Sequence, residues 1–300
     1  MHTKHYGAFY AMLSGLFFGL IGYFGMSAIH ANLSVFTMLF WRFIVASLFI
    51  FIMLIPQIKT LAHNPLELGK VFFHGAAFYS TSAIFYFLAS YHIGSGLAMV
   101  IFFTYPAIVM FINIIVYKVR LSKIYLLALI VIAAGMLLLM NGNYGTFNAR
   151  GIEYSILASM TYALYIVVSK NSPVAPLPST LLLSMGCIFT CLIAAIIDKT
   201  LSFPLSMSVW SNIVGIGIIC TALPIVFLLK GLKNISSTQA SILSVFEPIF
   251  VVIFGIILLD EKINVYQAIG VVTLLTGALI SLLNDKFCQA KGSQPILLTE

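Results

Sequence analysis

Long apolar runs alternate with short polar segments along the whole chain. Each run is close to the roughly 20 apolar residues that a helix needs to cross a bilayer. The runs are continuous rather than alternating, which favours helices over the strands of a membrane barrel. The pattern predicts ten spans, at residues 6–26, 34–55, 71–91, 95–117, 122–140, 151–169, 179–197, 209–229, 236–259 and 264–283.

The second half of the chain is similar to the first half. At an offset of 142 residues, Gly75 pairs with Gly217 and Pro106 pairs with Pro248. Each copy holds five predicted spans, and because five is odd, the second copy enters the bilayer from the opposite side. The sequence therefore predicts an all-α membrane protein with ten transmembrane helices as two inverted five-helix repeats. Transporters with this symmetry bind their substrate near the bilayer midplane, where the repeats meet.

The repeats also define the domain organisation. We expect the first five-helix repeat at residues 1–145, the second at residues 146–284, and a polar cytoplasmic tail at residues 285–300. The connections between spans are short, and they leave no room for a soluble domain.

Composition and charge agree with a membrane protein. The chain is 61% hydrophobic and 8% charged, whereas soluble domains are about 25% charged. If the N-terminus is cytoplasmic, eleven Lys and Arg residues fall in cytoplasmic segments and only Arg150, Lys199 and Lys262 fall in outer segments. This positive-inside bias predicts a multi-pass protein of the bacterial inner membrane with both termini in the cytoplasm. It also explains the net charge of +7 without a nucleic-acid partner.

Two charged residues fall inside predicted spans, where each costs about 2.5–3.5 kcal/mol unless it has a partner or a water-filled cavity. Glu247 lies near the middle of the ninth span. It is suited to carry a proton or to bind a substrate ammonium group, and the alternative is a structural hydrogen bond to a neighbouring helix. Arg42 lies in the outer half of the second span, beside Trp41. It either holds backbone carbonyls and locks helix packing, which an interfacial Trp41 favours, or it binds a substrate carboxylate or Glu247.

Each copy carries a proline at mid-membrane, and we expect a helix kink at both, because proline removes one backbone hydrogen bond. Pro106 follows Tyr105 in the fourth span, and Pro248 follows Glu247 in the ninth. Only the second copy therefore carries an acid beside its kink.

Polar stripes follow two other spans, with Tyr79, Ser82, Tyr86 and Ser90 on the third and Tyr154, Thr161 and Tyr165 on the sixth. Such stripes face the interior of a helix bundle, where they line a pathway or bond neighbouring helices. Tyr79 and Tyr165 lie away from the span ends and are the stronger candidates for the pathway. His74, near the cytoplasmic end of the third span, is a further titratable candidate, although an interfacial histidine also explains it.

Soluble catalytic motifs are absent from the sequence, including the phosphate-binding loop, the zinc-binding H-E-x-x-H helix and the G-x-S-x-G nucleophile turn. Cys187 and Cys191 share one face of an apolar helix, but neither a His nor a carboxylate is near them in sequence, so they are expected to be core residues. We therefore expect a protein that is not an enzyme and uses neither a cofactor nor a metal.

Residues 236–283 carry an ordered set of short motifs, namely Glu247-Pro248, Glu261-Lys262, Gln267, Gly270 and Gly277. This set resembles the drug/metabolite transporter superfamily, specifically its EamA-type ten-helix members. Trp41-Arg42-Phe43 is similar to the arginine that these proteins often carry in the second span. The first copy departs from the pattern, because Lys118-Val119-Arg120 stands where an acid would follow the fourth span.

The resemblance implies a ten-helix carrier with a central cavity that moves amino acids or similar small metabolites, most often outward. Combined with the repeat, it predicts a secondary active transporter that exports such metabolites by alternating access. Protons are the hypothesised coupling ion, with Glu247 as their carrier. The alternatives are a metabolite importer or exchanger, and a membrane scaffold that transports nothing.

Overall fold

Almost every residue that the structure describes lies in a helix. The computed structural model describes residues 2–31, 33–56, 64–118, 123–139, 148–259 and 264–290. Over these residues the chain forms fifteen α-helices and two π-helical segments, with no β-strand. The predicted all-α fold class is therefore confirmed.

The first repeat contains five spans. They are span 1 with α1 (His2–Phe18) and α2 (Ile21–His30), span 2 with α3 (Val35–Leu54), span 3 with α4 (Pro65–His74) and α5 (Ser80–Ile93), span 4 with α6 (Ser95–Phe102) and α7 (Tyr105–Tyr117), and span 5 with α8 (Lys123–Leu139).

The second repeat repeats this order. It comprises span 6 with α9 (Ala149–Lys170), span 7 with α10 (Pro176–Ile197), span 8 with α11 (Met207–Gly217) and α12 (Leu223–Asn234), span 9 with α13 (Ser237–Leu243) and α14 (Phe246–Leu259), and span 10 with α15 (Val265–Ala290).

The ten spans agree with the sequence prediction. Within the described residues, eight helical stretches are long and apolar enough to cross a membrane, and the apolar parts of α8 and α15 are shorter. The bounds differ most where a span ends in polar residues. Span 3 begins at Pro65, six residues before the predicted start, because the side chain of Asn64 caps the helix by accepting a bond from the Leu66 N–H. Likewise, α15 continues to Ala290, past the predicted end of the second repeat.

Several positions used in the sequence analysis lie outside the described residues. They are Lys59, Val119, Arg120, Glu261, Lys262, and residues 291–300 of the predicted tail.

The most extensive helix packings each join one repeat to the other. α8 packs against α15, α3 against α10, α1 against α12, and α5 against α9. Span 1 packs against span 8, and the equivalent contact with the repeats exchanged is that of span 6 with span 3. The other two contacts, of span 2 with span 7 and of span 5 with span 10, each join equivalent spans of the two repeats. This exchange of partners is what an approximate two-fold axis between inverted repeats requires.

Equivalent spans of the two repeats are also interrupted at equivalent places. Span 4 breaks between α6 and α7, and span 9 breaks between α13 and α14. Pro106 and Pro248 lie in the first turn after each break. A proline is tolerated there because its missing N–H has no helical partner at the start of a helix. Spans 4 and 9 are thus each divided into two shorter helices, and a proline lies at the start of the second one.

Spans 3 and 8 share a second irregularity, a five-residue π-helical segment. These segments are Gly75–Tyr79, between α4 and α5, and Ile218–Ala222, between α11 and α12. A π segment widens the helix by one residue per turn and is often found at functional sites. The break between α1 and α2 has no counterpart, since α9 is continuous.

Candidate functional site

A central cavity of about 440 Å³, including the space at its mouth, lies between the two repeats. Six aromatic rings form most of its wall: Phe18, Tyr79, Tyr86, Phe87, Phe102 and Tyr162. Among the described residues that line the cavity, Arg42 and Glu247 are the two that carry charge.

Arg42 is held in place by the π-helical segment of span 8. Its Nε donates to Thr221 Oγ1 at 2.5 Å, and its Nη2 donates to the Cys220 carbonyl at 3.4 Å. Thr221 Oγ1 donates onward to the Ile216 carbonyl at 2.7 Å, so the anchor is itself fixed. The guanidinium also lies 5.2 Å from the centre of the Phe43 ring. One atom of the Arg42 side chain, Nη2, thus binds a backbone carbonyl, and Nε binds a hydroxyl.

The remaining nitrogen of Arg42, Nη1, is not held by the protein in this way. Nη1 is buried and has no hydrogen-bond partner among the described residues, and the side chain as a whole is only 1% exposed. An unsatisfied donor on a buried cation is costly, because its hydration is lost without replacement. The arrangement fixes the guanidinium by one edge and leaves another donor unused beside the cavity.

Glu247 reaches the cavity from the other repeat's half-helix, in the first turn of α14. It is 8% exposed, and its carboxylate makes no hydrogen bond or ion pair with another residue in the described part of the chain. The start of a helix favours a negative charge, because backbone N–H groups point toward it. Arg42 and Glu247 thus line one cavity without the direct ion pair that was one alternative for Arg42.

The predicted tyrosines divide into two groups. Tyr79 and Tyr86 line the central cavity, as does Tyr162, which sequence reasoning missed. Tyr105 is fully buried and does not line the cavity. The centre of its ring lies 4.8 Å from that of Tyr162, and its hydroxyl donates to the Ser241 carbonyl at 3.4 Å. The ring centre of Tyr165 lies 5.0 Å from that of Tyr79, but Tyr165 does not line the central cavity.

His74 also lies away from the central cavity and lines a second, smaller one together with Tyr165. The serine and threonine members of the two stripes mostly bond backbone carbonyls. Ser82 bonds the carbonyl of Ala158 across the repeats at 2.9 Å, while Thr161 bonds carbonyls of its own helix. The stripes therefore serve helix packing as well as cavity lining.

Metal-binding side chains do not cluster anywhere in the described residues. Cys187 and Cys191 are both fully buried, and Cys187 donates to the Gly75 carbonyl at 3.3 Å.

Comparison with known proteins gives the same two-part organisation. The sequence profile of the EamA-like transporter family matches residues 5–141 and, a second time, residues 149–283. The chain belongs to the EamA-like transporter family. The resemblance found in the short motifs is thereby confirmed, and each match covers one five-helix repeat.

Relatives within this transporter family come from bacteria and archaea. The uncharacterized transporter YxxF of Bacillus subtilis (strain 168) is 24% identical over 279 residues, covering 90% of this chain and 88% of the relative. An uncharacterized transporter of Archaeoglobus fulgidus is 28% identical over 134 residues, covering 44% of this chain and 47% of the relative. A solved crystal structure shares the fold, with a TM-score of 0.78 and 16% identity over 93% of this chain and 96% of that chain. The protein is accordingly a multi-pass membrane transporter of the EamA-like family.

Proposed function

We propose that this transporter is a secondary active carrier that exports amino acids, or similar small zwitterionic metabolites, across the bacterial inner membrane. The observation that carries the proposal is the pair of unsatisfied opposite charges in one cavity. Arg42 offers a free Nη1, and Glu247 offers a carboxylate without a partner among the described residues. A buried charge without a partner is strongly destabilising. An amino acid supplies a carboxylate for one of these groups and an ammonium for the other.

Alternating access follows from the symmetry of the fold. Each repeat contributes one charged residue to the cavity, Arg42 from span 2 and Glu247 from span 9. A rocking motion of one repeat against the other would expose the bound zwitterion to either side in turn. The half-helices created by the breaks near Pro106 and Pro248 provide places where such motion requires little loss of backbone bonding.

Proton coupling is the second part of the proposal. When no substrate ammonium is present, a proton on Glu247 satisfies the same carboxylate. Proton entry and substrate exit are then mutually exclusive at one group, which is the basis of an exchange of protons for substrate.

The orientation is supported by the distribution of basic residues. Lys170 and Lys233 lie at the end of the bundle predicted to be cytoplasmic, where they donate to the carbonyls of Leu232 and Ser172. Arg150 and Lys199 lie at the opposite end. Both termini are then cytoplasmic.

The proposal is tested by flux into proteoliposomes that contain the purified protein. We expect at least one of the twenty common amino acids, supplied radiolabelled, to exchange by counterflow at least about tenfold faster than in empty liposomes. An opposing pH gradient should accelerate net flux if protons are coupled. Counterflow without net flux would favour a strict exchanger. Failure of every amino acid to move, with a folded protein, would contradict the proposed substrate class.

A further inference from the structure

A second, smaller cavity, of about 240 Å³ including the open space at its mouth, lies on the side of the central cavity that faces the predicted cytoplasmic end. Both repeats contribute to it. Val71 and His74 come from span 3, and Tyr165, Ser169 and Leu183 come from spans 6 and 7. The central site accounts for none of these residues.

A pair of tyrosine rings connects the linings of the two cavities. Tyr79 lines the central cavity and Tyr165 lines the second one. Their ring centres are 5.0 Å apart, and the ring planes are inclined at 73°. The π-helical segment Gly75–Tyr79 begins directly after His74, so it joins the wall of one cavity to the wall of the other.

Close approach of span 7 fixes one wall of the second cavity. A Cβ atom on Gly75 would lie 2.2 Å from the Leu183 carbonyl oxygen, and a Cβ atom on Gly186 would lie 2.2 Å from the Phe72 carbonyl oxygen. Only glycine at these two positions allows the backbones to come so near. The backbones of spans 3 and 7 are thus in close contact on this side of the cavity.

The polar groups of the second cavity suit a carboxylate. The Tyr165 hydroxyl is fully buried next to Ser169, and no carbonyl or carboxylate among the described residues accepts a hydrogen bond from it. Ser169 and His74 add further donors, while Val71, Leu183 and Leu229 provide an apolar wall. Asp and Glu are absent from the described residues that line it. Hydroxyl donors without a competing carboxylate favour an anionic acceptor.

We infer that the second cavity is a binding site for the carboxylate end of the substrate on the cytoplasmic side. The inference rests on the proposed function, and it adds a site that the substrate occupies before it reaches Arg42. The carboxylate accepts hydrogen bonds from Tyr165 and Ser169, and separation of the Tyr79 and Tyr165 rings then lets it pass to the guanidinium. The ring pair is the boundary between the two sites.

The test uses inside-out and right-side-out membrane vesicles with tritiated L-phenylalanine, or whichever amino acid the wild-type protein carries fastest. Tyr165→Phe removes the free hydroxyl, and Ser169→Val removes the second donor. Each should raise the half-saturating concentration at the cytoplasmic face at least about tenfold, since tenfold corresponds to one net hydrogen bond of roughly 1.4 kcal/mol. The half-saturating concentration at the outer face should stay within about twofold.

The matched control is Ser47→Val, because Ser47 is also 8% exposed but lines neither cavity. It should change neither concentration. Equal changes at both faces would assign Tyr165 and Ser169 a structural role, and no change at either face would refute the second site. In both cases wild-type transport persists and the proposed function stands. If no amino acid is carried by the wild-type protein, the proposed function fails and the second site falls with it.

Discussion

Arg42→Met should lower amino-acid flux by at least about 100-fold, while the protein remains folded. The factor corresponds to roughly 2.7 kcal/mol, which is the size of a hydrogen bond between a charged donor and a carboxylate. Methionine retains most of the apolar stem and removes the cation. Thr221 keeps its own bond to the Ile216 carbonyl, so the π-helical segment of span 8 retains part of its support.

Thermal stability distinguishes a substrate-binding role of Arg42 from a purely helix-packing role. A buried cation with an unsatisfied donor is costly to the fold, and methionine removes that cost. We therefore expect the midpoint of thermal unfolding in detergent to stay unchanged or to rise in Arg42→Met, although transport is lost. Arg150→Met at the N-terminal end of α9 is the control for charge removal, and its flux should match the wild type. Retained flux together with a lower unfolding midpoint would show that Arg42 only locks helix packing.

Glu247→Gln should reduce proton-coupled transport at least about tenfold. Glutamine has the same shape as glutamate, so the packing of α14 against α1 is preserved. It carries no negative charge for a substrate ammonium, and it cannot bind and release a proton. The flux that remains should be the same with and without a pH gradient, whereas wild-type flux should increase with the gradient.

Glu153→Gln is the matched control for this substitution, because Glu153 is exposed near the N-terminal end of α9. Its flux and its response to the gradient should equal those of the wild type. Wild-type coupled transport in Glu247→Gln would remove Glu247 from the mechanism. A variant that loses flux yet still responds fully to the gradient would assign Glu247 to substrate binding alone and place proton coupling elsewhere.

Hydrophobic patterning predicts the fold of this chain almost completely, because the bilayer imposes helices of a nearly fixed length. The ends of spans are less well predicted. Asn64 and Pro65 start α4 within a polar segment, since capping and helix propensity do not depend on hydropathy. The π-helical segments leave no pattern in the apolar residues, although one of them holds Arg42 in position.

The charged members of the candidate site could be predicted, and its aromatic wall could not. Arg42 and Glu247 are easily recognised in the sequence, because an ionisable residue within a membrane span is costly and rare. Phe18, Phe87 and Phe102 resemble the many phenylalanines that face lipid, so their position in the cavity depends on helix rotation. The stripe on span 6 pointed to Thr161 and Tyr165, yet it is Tyr162, one residue after Thr161, that lines the central cavity.

The central claim is that one zwitterion satisfies both Arg42 and Glu247 in the cavity between the repeats. Competition by three matched ligands tests it most directly, using L-phenylalanine, its decarboxylated amine and its deaminated acid against counterflow of the substrate. In the wild type, the amine and the acid should each compete at least about thirtyfold more weakly than L-phenylalanine, which corresponds to roughly 2 kcal/mol. The Arg42→Met variant should bind the amine and the amino acid equally tightly. The Glu247→Gln variant should bind the acid and the amino acid equally tightly. Equal competition by all three ligands in the wild type, or an unchanged preference in both variants, would contradict the account.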